Sequence, residues 1–270
     1  MPSLQKFGQT GATMPYISVR GLRINYISGE DFRKSLPTVL MLHGAGQSSA
    51  TWEYQVDIFK DNPKFNLIIP DLPGHGKSEG TGYKSIAEYT DFVRDFSDAL
   101  GLQKLIIVGH SMGGGIAQVF TIDYPERVCA CVLVGTGARL LVAKETLLAV
   151  RNNYETFCAV APSRSFASSS PGRLKIKFRE GLLRTAQEVS YWGLMACDEF
   201  DIIGEVGAIK VPSLIISGAE DILTPVKYGE YLNDKIPGSH FNVIDNAGHF
   251  MMQEKPDEFN RVLLDFLESL

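Results

Sequence analysis

A chain of 270 residues has room for one large α/β domain or two smaller ones, and 44% hydrophobic with 21% charged residues is the balance of an ordinary globular protein. A formal net charge of −5 argues against a nucleic-acid-binding surface. Four cysteines, Cys129, Cys131, Cys158 and Cys197, are too few for a disulfide framework, and no second C-x-C or nearby histidine completes a metal set around Cys129 and Cys131.

Residues Met1 to Tyr16 show neither a charged stretch followed by an apolar core nor an A-x-A site. No apolar run approaches the ~20 residues of a membrane span. The expectation is a protein that does not cross a membrane, most simply placed in the cytoplasm. Tyr16 to Val19 and Leu22 to Ile27 alternate around Arg20-Gly21 and predict a hairpin at an antiparallel edge. Pro37 to Leu42 is a continuous apolar strand running into His43-Gly44-Ala45-Gly46. A helix from Trp52 to Phe59 separates it from a second buried strand, Phe65 to Ile69, which ends at Pro70-Asp71-Leu72-Pro73-Gly74-His75-Gly76-Lys77-Ser78. Buried strands alternating with amphipathic helices predict a parallel sheet with right-handed crossovers.

Ser85-x-x-Glu88 is a capping box, and Ile86, Tyr89, Phe92, Val93, Phe96 and Leu100 keep helical spacing until Gly101. Leu105 to Val108 then reads as a buried strand and Ile116 to Phe120 as a buried helix. Between them, Gly109-x-Ser111-x-Gly113 has the spacing of a tight strand-to-helix turn that presents a serine hydroxyl clear of the sheet. Tyr124-Pro125 breaks the chain, and Val128 to Val134 is a further buried strand in which Cys129 and Cys131 are expected to share one face.

From residue 138 to 208 no buried strand is legible, only helical segments including Leu140 to Val150 and Leu174 to Leu183. The predicted organisation is therefore a core of residues 1–137 and 209–270 with a helical cap, 138–208, inserted over the carboxyl ends of the strands, where ligands of such sheets bind. The sheet resumes with Pro212 to Ser217, leading into Gly218-Ala219-Glu220-Asp221. His240 to Ile244 is the last strand, followed by Gly248-His249. Pro225 and Pro256 mark helix starts, and Phe259, Val262, Leu263 and Phe266 form the buried face of the closing helix.

Ser111, Asp221 and His249 thus fall at the ends of three separate buried strands, which in a parallel sheet share one edge of the molecule. A serine hydroxyl is a weak nucleophile at neutral pH. It needs a histidine to take its proton and a carboxylate to hold the imidazole in the right tautomer. With these residues the chain resembles the α/β-hydrolase superfamily, in its capped, esterase-like branch. The matching stretches are His43 to Gly46, Asp71 to Ser78, Gly109 to Gly114, Tyr124 to Val128, Gly218 to Asp221 with Thr224-Pro225, and Gly248-His249 with Glu254-x-Pro256. The order Ser, Asp, His is the one expected of that superfamily.

The resemblance implies an α/β fold with a mostly parallel central sheet flanked by helices, Ser111 as nucleophile, Asp221 as acid, His249 as base, and no metal or organic cofactor. The oxyanion hole is expected from the backbone N–H groups of Met112 and Ala45, with Gly46 as the alternative to Ala45. His43, His75, His110 and His240 are weaker candidates for the base. Glu220, Asp245 and Asp198 are weaker candidates for the acid, and Asp71 reads as structural, fixing the turn after it.

The expected reaction is hydrolysis of a small-molecule carboxylic ester through an acyl-enzyme. The resemblance leaves open a thioesterase, a lactonase, a perhydrolase or a carbon–carbon bond hydrolase. The last is weakened by Phe250, which follows the histidine where many such enzymes place Trp. A non-catalytic ligand receptor of the same fold is the competing class. Phe178, Tyr191, Trp192, Met195 and Phe200 are candidates for an apolar acyl pocket. Arg173, Lys175, Lys177, Arg179 and Arg184 crowd one segment. Three of them share a helical face that is either a solvated surface or a rim attracting anionic substrates. Oligomeric state is not legible.

Overall fold

The computed structural model describes residues 5–6, 13–29, 32–59 and 62–270, so the expectation about residues 1–16 falls mostly outside them. Two short strands, β1 (Gln5–Lys6) and β2 (Thr13–Met14), precede the expected hairpin of β3 (Tyr16–Val19) and β4 (Leu22–Ser28). Its two turn residues, Arg20 and Gly21, have φ of 52° and 79°. Two successive left-handed residues are what a hairpin turn needs to match the twist of its strands. The hairpin is joined to the main sheet through β4, which pairs antiparallel with β6 (Asn66–Pro70).

The remaining strands are β5 (Thr38–Leu42), β7 (Leu105–His110), β8 (Val128–Val134), β9 (Ser213–Gly218) and β10 (His240–Ile244). The sheet order is β1-β2-β4-β6-β5-β7-β8-β9-β10, with β3 beside β4, and every pairing from β6 to β10 is parallel. After β5 the chain winds to one side to make β6, then returns past β5 to make β7. That reversal opens a crevice at the carboxyl ends of β5 and β7, the position where open α/β sheets bind ligands.

Helices cover both faces. Helices α2 (Ile86–Leu100), α3 (Met112–Asp123) and α8 (Val226–Lys235) share one apolar cluster with Leu40, Leu42, Leu105 and Ile107 of the strands. Helices α1 (Glu53–Phe59), α9 (Met251–Glu254) and α10 (Pro256–Glu268) pack on Val39, Met41, Ile106 and Val108 from the other face. The alternation within β5 and β7 supplies both clusters, which is why these strands read as unbroken apolar runs. Full burial of each such side chain contributes about 1.5–3 kcal/mol. At the start of α2 the Glu88 N–H donates to Ser85 Oγ (3.2 Å), and the Glu88 carboxylate accepts from the Lys84 N–H (3.0 Å). Gly101 closes the helix at φ 69°.

One expectation fails in β8. Cys131 is buried and Cys129 is exposed, because the pairing with β7 slips between Leu105–Val128 and Ile106–Ala130. The extra residue is a β-bulge, which breaks the alternation and puts Val128 on the same side as Cys131 and Leu133.

Between β8 and β9 the chain forms α4 (Lys144–Asn152), α5 (Tyr154–Ser165), α6 (Gly172–Arg184) and α7 (Gln187–Asp198). Helix α4 begins at Lys144 rather than Leu140. Residues 138–140 instead lie against 200–202: Arg139 bridges Asp201, the Ile202 N–H donates to the Ala138 carbonyl (2.8 Å), and the Leu140 N–H donates to that of Phe200 (3.3 Å). The insertion therefore leaves and re-enters the core at adjacent points. Among the described residues no helix is long and apolar enough to cross a membrane.

Candidate active site

Ser111 sits between the last residue of β7 and the first of α3 with φ 53° and ψ −116°. For a residue with a Cβ this conformation costs about 1–3 kcal/mol, so the surroundings must enforce it. The Ser111 N–H donates to the Val134 carbonyl (3.0 Å), and the Ser111 carbonyl accepts from the Gly114 N–H (2.8 Å) and from Thr136 Oγ1 (3.0 Å). A Cβ at position 109 would overlap the Gly113 carbonyl, and one at 113 would overlap that of Leu42. Glycine is required at both positions because strand, turn and helix lie in direct backbone contact.

Asp221 follows β9, and His249 follows β10. His249 Nδ1 donates to Asp221 Oδ2 at 2.7 Å, and both side chains are almost fully buried. Asp221 Oδ1 accepts the N–H groups of Leu223 (2.8 Å) and Thr224 (3.0 Å), while the Thr224 hydroxyl donates to Oδ2 (2.7 Å). Burial opposes ionisation of this carboxyl. The charge and hydrogen bond of His249, with the donors of Thr224, outweigh that cost and hold it below the usual carboxylate range. With Nδ1 committed to Asp221, the hydrogen-bond pattern leaves Nε2 as the ring nitrogen that can take up and release a proton. Ser111 and His249 line one cavity. No hydrogen bond joins Ser111 Oγ to the ring among the described residues; such contacts commonly tighten only when substrate is bound. Thr224, whose hydroxyl oxygen also lies 3.2 Å from His249 Nδ1, had no role in the sequence reading beyond its place in a matching stretch.

The competing acids and bases are occupied or turned elsewhere. Glu220 accepts from the Ser168 N–H (3.3 Å), Asp198 accepts from the Val142 N–H (3.0 Å), and Asp245 is exposed. Asp71 accepts from the N–H groups of Ser49 (2.7 Å) and Lys77 (2.9 Å) and from the Asn25 side chain (2.8 Å). His240 is exposed at the start of β10. His43 Nδ1 donates to the Gly44 carbonyl (2.8 Å), and its Nε2 accepts the Leu72 N–H (3.0 Å). His75 Nδ1 donates to the Pro73 carbonyl (3.0 Å), and its Nε2 accepts the Gly46 N–H (3.3 Å). Both rings must be neutral to accept those amides. Burial lowers His43 to about 4; burial and the neighbouring His43 lower His75 to about 3. His110 lies against His249, 4.6 Å between ring centres, and its Nε2 donates to the His249 carbonyl (2.9 Å). Burial and the His249 charge hold it well below the ordinary histidine value.

The amides expected to meet an oxyanion differ in availability. Met112 opens α3, and Ala45 lies in the loop after β5. Neither N–H donates a hydrogen bond among the described residues. The N–H of Gly46, the alternative donor, is given to His75, and the Gly46 carbonyl accepts from Thr185 Oγ1 (3.1 Å).

The cavity holds about 400 Å³ and is mostly apolar, with Leu140, Phe157, Phe178, Leu182, Leu194 and Phe250 on its walls. Of the five residues expected to line an acyl pocket, Phe178 does so. Tyr191 and Trp192 border a separate surface depression with Arg151, Gln187 and Glu188. Phe200, 5% exposed, packs beside Ile86 where both meet Gly115 of α3, and Met195 lines neither space. Helix α7 turns Ser190, Leu194 and Cys197 to the cavity instead, a stripe at i, i+4 and i+7. The cations of α6 also face away. Lys177 pairs with Glu53 of α1, Arg184 lies 4.0 Å from Glu180, and none of the five lines the cavity. Among the described residues its only charged lining residues are Glu145 and Arg164, so of the two readings of the α6 cations the solvated surface fits and the anion-attracting rim has no support.

The chain is similar to several known hydrolases along nearly its whole length. A structure described as a thermophilic esterase is 34% identical, covers 96% of this chain and 98% of its own, and superposes with a TM-score of 0.83. The enol-lactonase of Burkholderia xenovorans is 25% identical over 94% of this chain and 100% of its own, with a TM-score of 0.88. A 2-hydroxy-6-oxononadienedioate/2-hydroxy-6-oxononatrienedioate hydrolase of Paraburkholderia phymatum is 28% identical over 95% of this chain and 96% of its own. The model of the α/β hydrolase fold family matches residues 37–256, and the chain belongs to that family.

Proposed function

We propose that the protein hydrolyses carboxylic esters, open-chain or cyclic, through an acyl-enzyme on Ser111. The observation that carries this reading is that Ser111, on its strained turn, and His249, held by Asp221, open onto one apolar cavity beside two uncommitted backbone N–H groups. His249 Nε2 takes the hydroxyl proton as Ser111 Oγ attacks the carbonyl carbon. The resulting oxyanion accepts from the N–H groups of Ala45 and Met112, the second at a helix N-terminus whose partial positive charge favours it. Collapse breaks the ester bond, and the leaving alkoxide takes the proton from His249. Water then attacks the acyl-enzyme with the same base, releasing the acid and restoring Ser111.

Asp221 keeps the imidazole in the required tautomer, with Thr224 keeping Asp221 in place. The insertion from 138 to 208 acts as a cap that supplies most of the apolar wall and excludes water. The chemistry calls for no metal or organic cofactor. An ester, rather than a carbon–carbon bond, is favoured by the likeness to an esterase at 34% identity and by Phe250 following the histidine. A fluorophosphonate probe tests the reading: it should label Ser111 stoichiometrically and leave Ser111→Ala unlabelled. An unlabelled wild-type protein would instead favour a ligand receptor.

A further inference from the structure

The mouth of the cavity is built unlike ordinary surface. Among the described residues ten large hydrophobic side chains are exposed, and four of them border this one opening: Leu141 (55%), Val160 (50%), Ile222 (60%) and Leu223 (37%). They come from three separate segments: the stretch entering α4, helix α5, and the loop between Asp221 and Thr224. Scattered exposed apolar residues need no explanation, but a group converging on one opening marks a surface meant to be covered. Phe157, Leu140 and Ser111 line the same cavity.

Resting on the esterase reading, we propose that the substrate carries a linear aliphatic arm that runs from Ser111 to the mouth of the cavity, and that Leu141, Val160, Ile222 and Leu223 cover its outer part. The arm belongs to either the acyl or the alcohol half of the ester. Two series separate the sources: p-nitrophenyl esters from acetate to decanoate, and acetates of alcohols from ethanol to decanol. The wild-type protein should favour the long member in one series by roughly tenfold or more in kcat/KM, since each methylene moved out of water is worth up to about fourfold. A triple variant, Leu141→Asn, Val160→Thr and Ile222→Asn, changes only exposed positions, where substitutions are tolerated. It should lower the long-to-short ratio in that series about tenfold. A ratio within twofold of wild type overturns the proposal. So does a long-chain preference that appears only once the substrate aggregates, which would assign the ring to a lipid surface. Failure of the wild-type protein to cleave any ester would count against the esterase reading instead.

A second observation concerns Glu254. Its Oε1 accepts the N–H groups of Gly248 (3.0 Å) and Phe250 (3.1 Å), the two neighbours of His249. Its Oε2 accepts the N–H of Ala167 (2.8 Å) and the hydroxyl of Ser170, both in the connection between α5 and α6. The His249 N–H itself donates to the Ser165 carbonyl at the end of α5 (2.8 Å). A Cβ at Gly248 would press on the backbone of residues 165–167, so the two segments lie in direct contact. The loop carrying the base is thus fastened to the helical insertion rather than to the sheet alone.

The geometry points to Glu254 as the positioning residue of His249, coupling it to α5, which itself lines the cavity through Phe157, Val160, Ala161 and Arg164. Replacing Glu254 by Gln keeps the shape but turns a donor toward the Ala167 amide. Expected are a fall of about tenfold in kcat, KM changed by less than threefold, and a displaced pH profile for fluorophosphonate labelling of Ser111. A lower Tm with kcat and the labelling profile unchanged would reduce Glu254 to a structural tie and overturn the inference. If Glu254→Gln does not fold, Ser170→Ala removes one donor from the same carboxylate; about threefold in kcat is expected, and no change in kcat overturns the inference.

Discussion

The amide of Gly46 donates to Nε2 of His75, 3.3 Å away, which withdraws it from the cavity and leaves the neighbouring Ala45 amide free. A histidine 29 residues distant in sequence therefore shapes the loop that faces the nucleophile. His75→Ala should lower kcat for p-nitrophenyl butyrate by about tenfold with a smaller change in KM. That loss is less than the 10²–10³ of removing an oxyanion donor outright, because the Ala45 amide remains. The unpaired Gly46 amide should also cost about 1–3 kcal/mol, read as a lower urea midpoint.

Acid should destabilise the fold earlier than carboxylate titration alone. His43 and His75 have folded-state values of about 4 and about 3, below the ordinary 6.5. A depressed value means that the folded chain refuses protons the unfolded chain accepts. The stability these rings contribute is complete above about pH 6.5 and declines as pH falls toward 4, by about 1.4 kcal/mol per pH unit for each histidine. Asp221, also depressed, extends the loss to lower pH. Urea unfolding at pH 7, 6 and 5 checks the slope; equal stability at pH 7 and 5 contradicts it.

Asp221→Asn should reduce kcat by about 10³–10⁴-fold, since the amide stabilises the wrong imidazole tautomer. Thr224→Val removes only the hydroxyl that steadies Asp221 and should cost about tenfold. A Thr224→Val enzyme with unaltered kcat would show that the two backbone amides on Oδ1 suffice.

Position 111 should show a conflict between stability and chemistry. Ser111→Ala keeps the strained φ of 53°, whereas Ser111→Gly relieves it. Both are expected to be inactive, but the glycine variant should be more stable than the alanine variant by about 1 kcal/mol, the strain relieved less glycine's added unfolded-state entropy. Thermal or urea denaturation of the pair decides this.

What the sequence made legible was carried by local signals. The run Val128 to Val134, the capping box at Ser85 and Glu88, and the glycines around Ser111 each constrain their own neighbourhood, and each predicted element formed there. The strand order that places Ser111, Asp221 and His249 on one edge followed from the parallel-sheet rule rather than from any single residue. Facing and register were not legible. The bulge that exposes Cys129 is a mismatch between β7 and β8 that neither strand announces alone. The faces that α6 and α7 present are set by docking, so Tyr191 and Trp192 border a surface depression while Leu194 and Cys197 reach the cavity. The contacts of Thr224, His75 and Glu254 run to loops distant in sequence, which no local pattern announces.

The central claim is that Ser111 becomes acylated during turnover. Mixing the protein with excess p-nitrophenyl butyrate and quenching in acid within the first turnovers should show a burst of p-nitrophenolate equal to the enzyme concentration. Mass spectrometry should place one butyryl group on the peptide containing Ser111. A butyryl group on another residue, or turnover with neither burst nor adduct that persists in Ser111→Ala, would contradict the account.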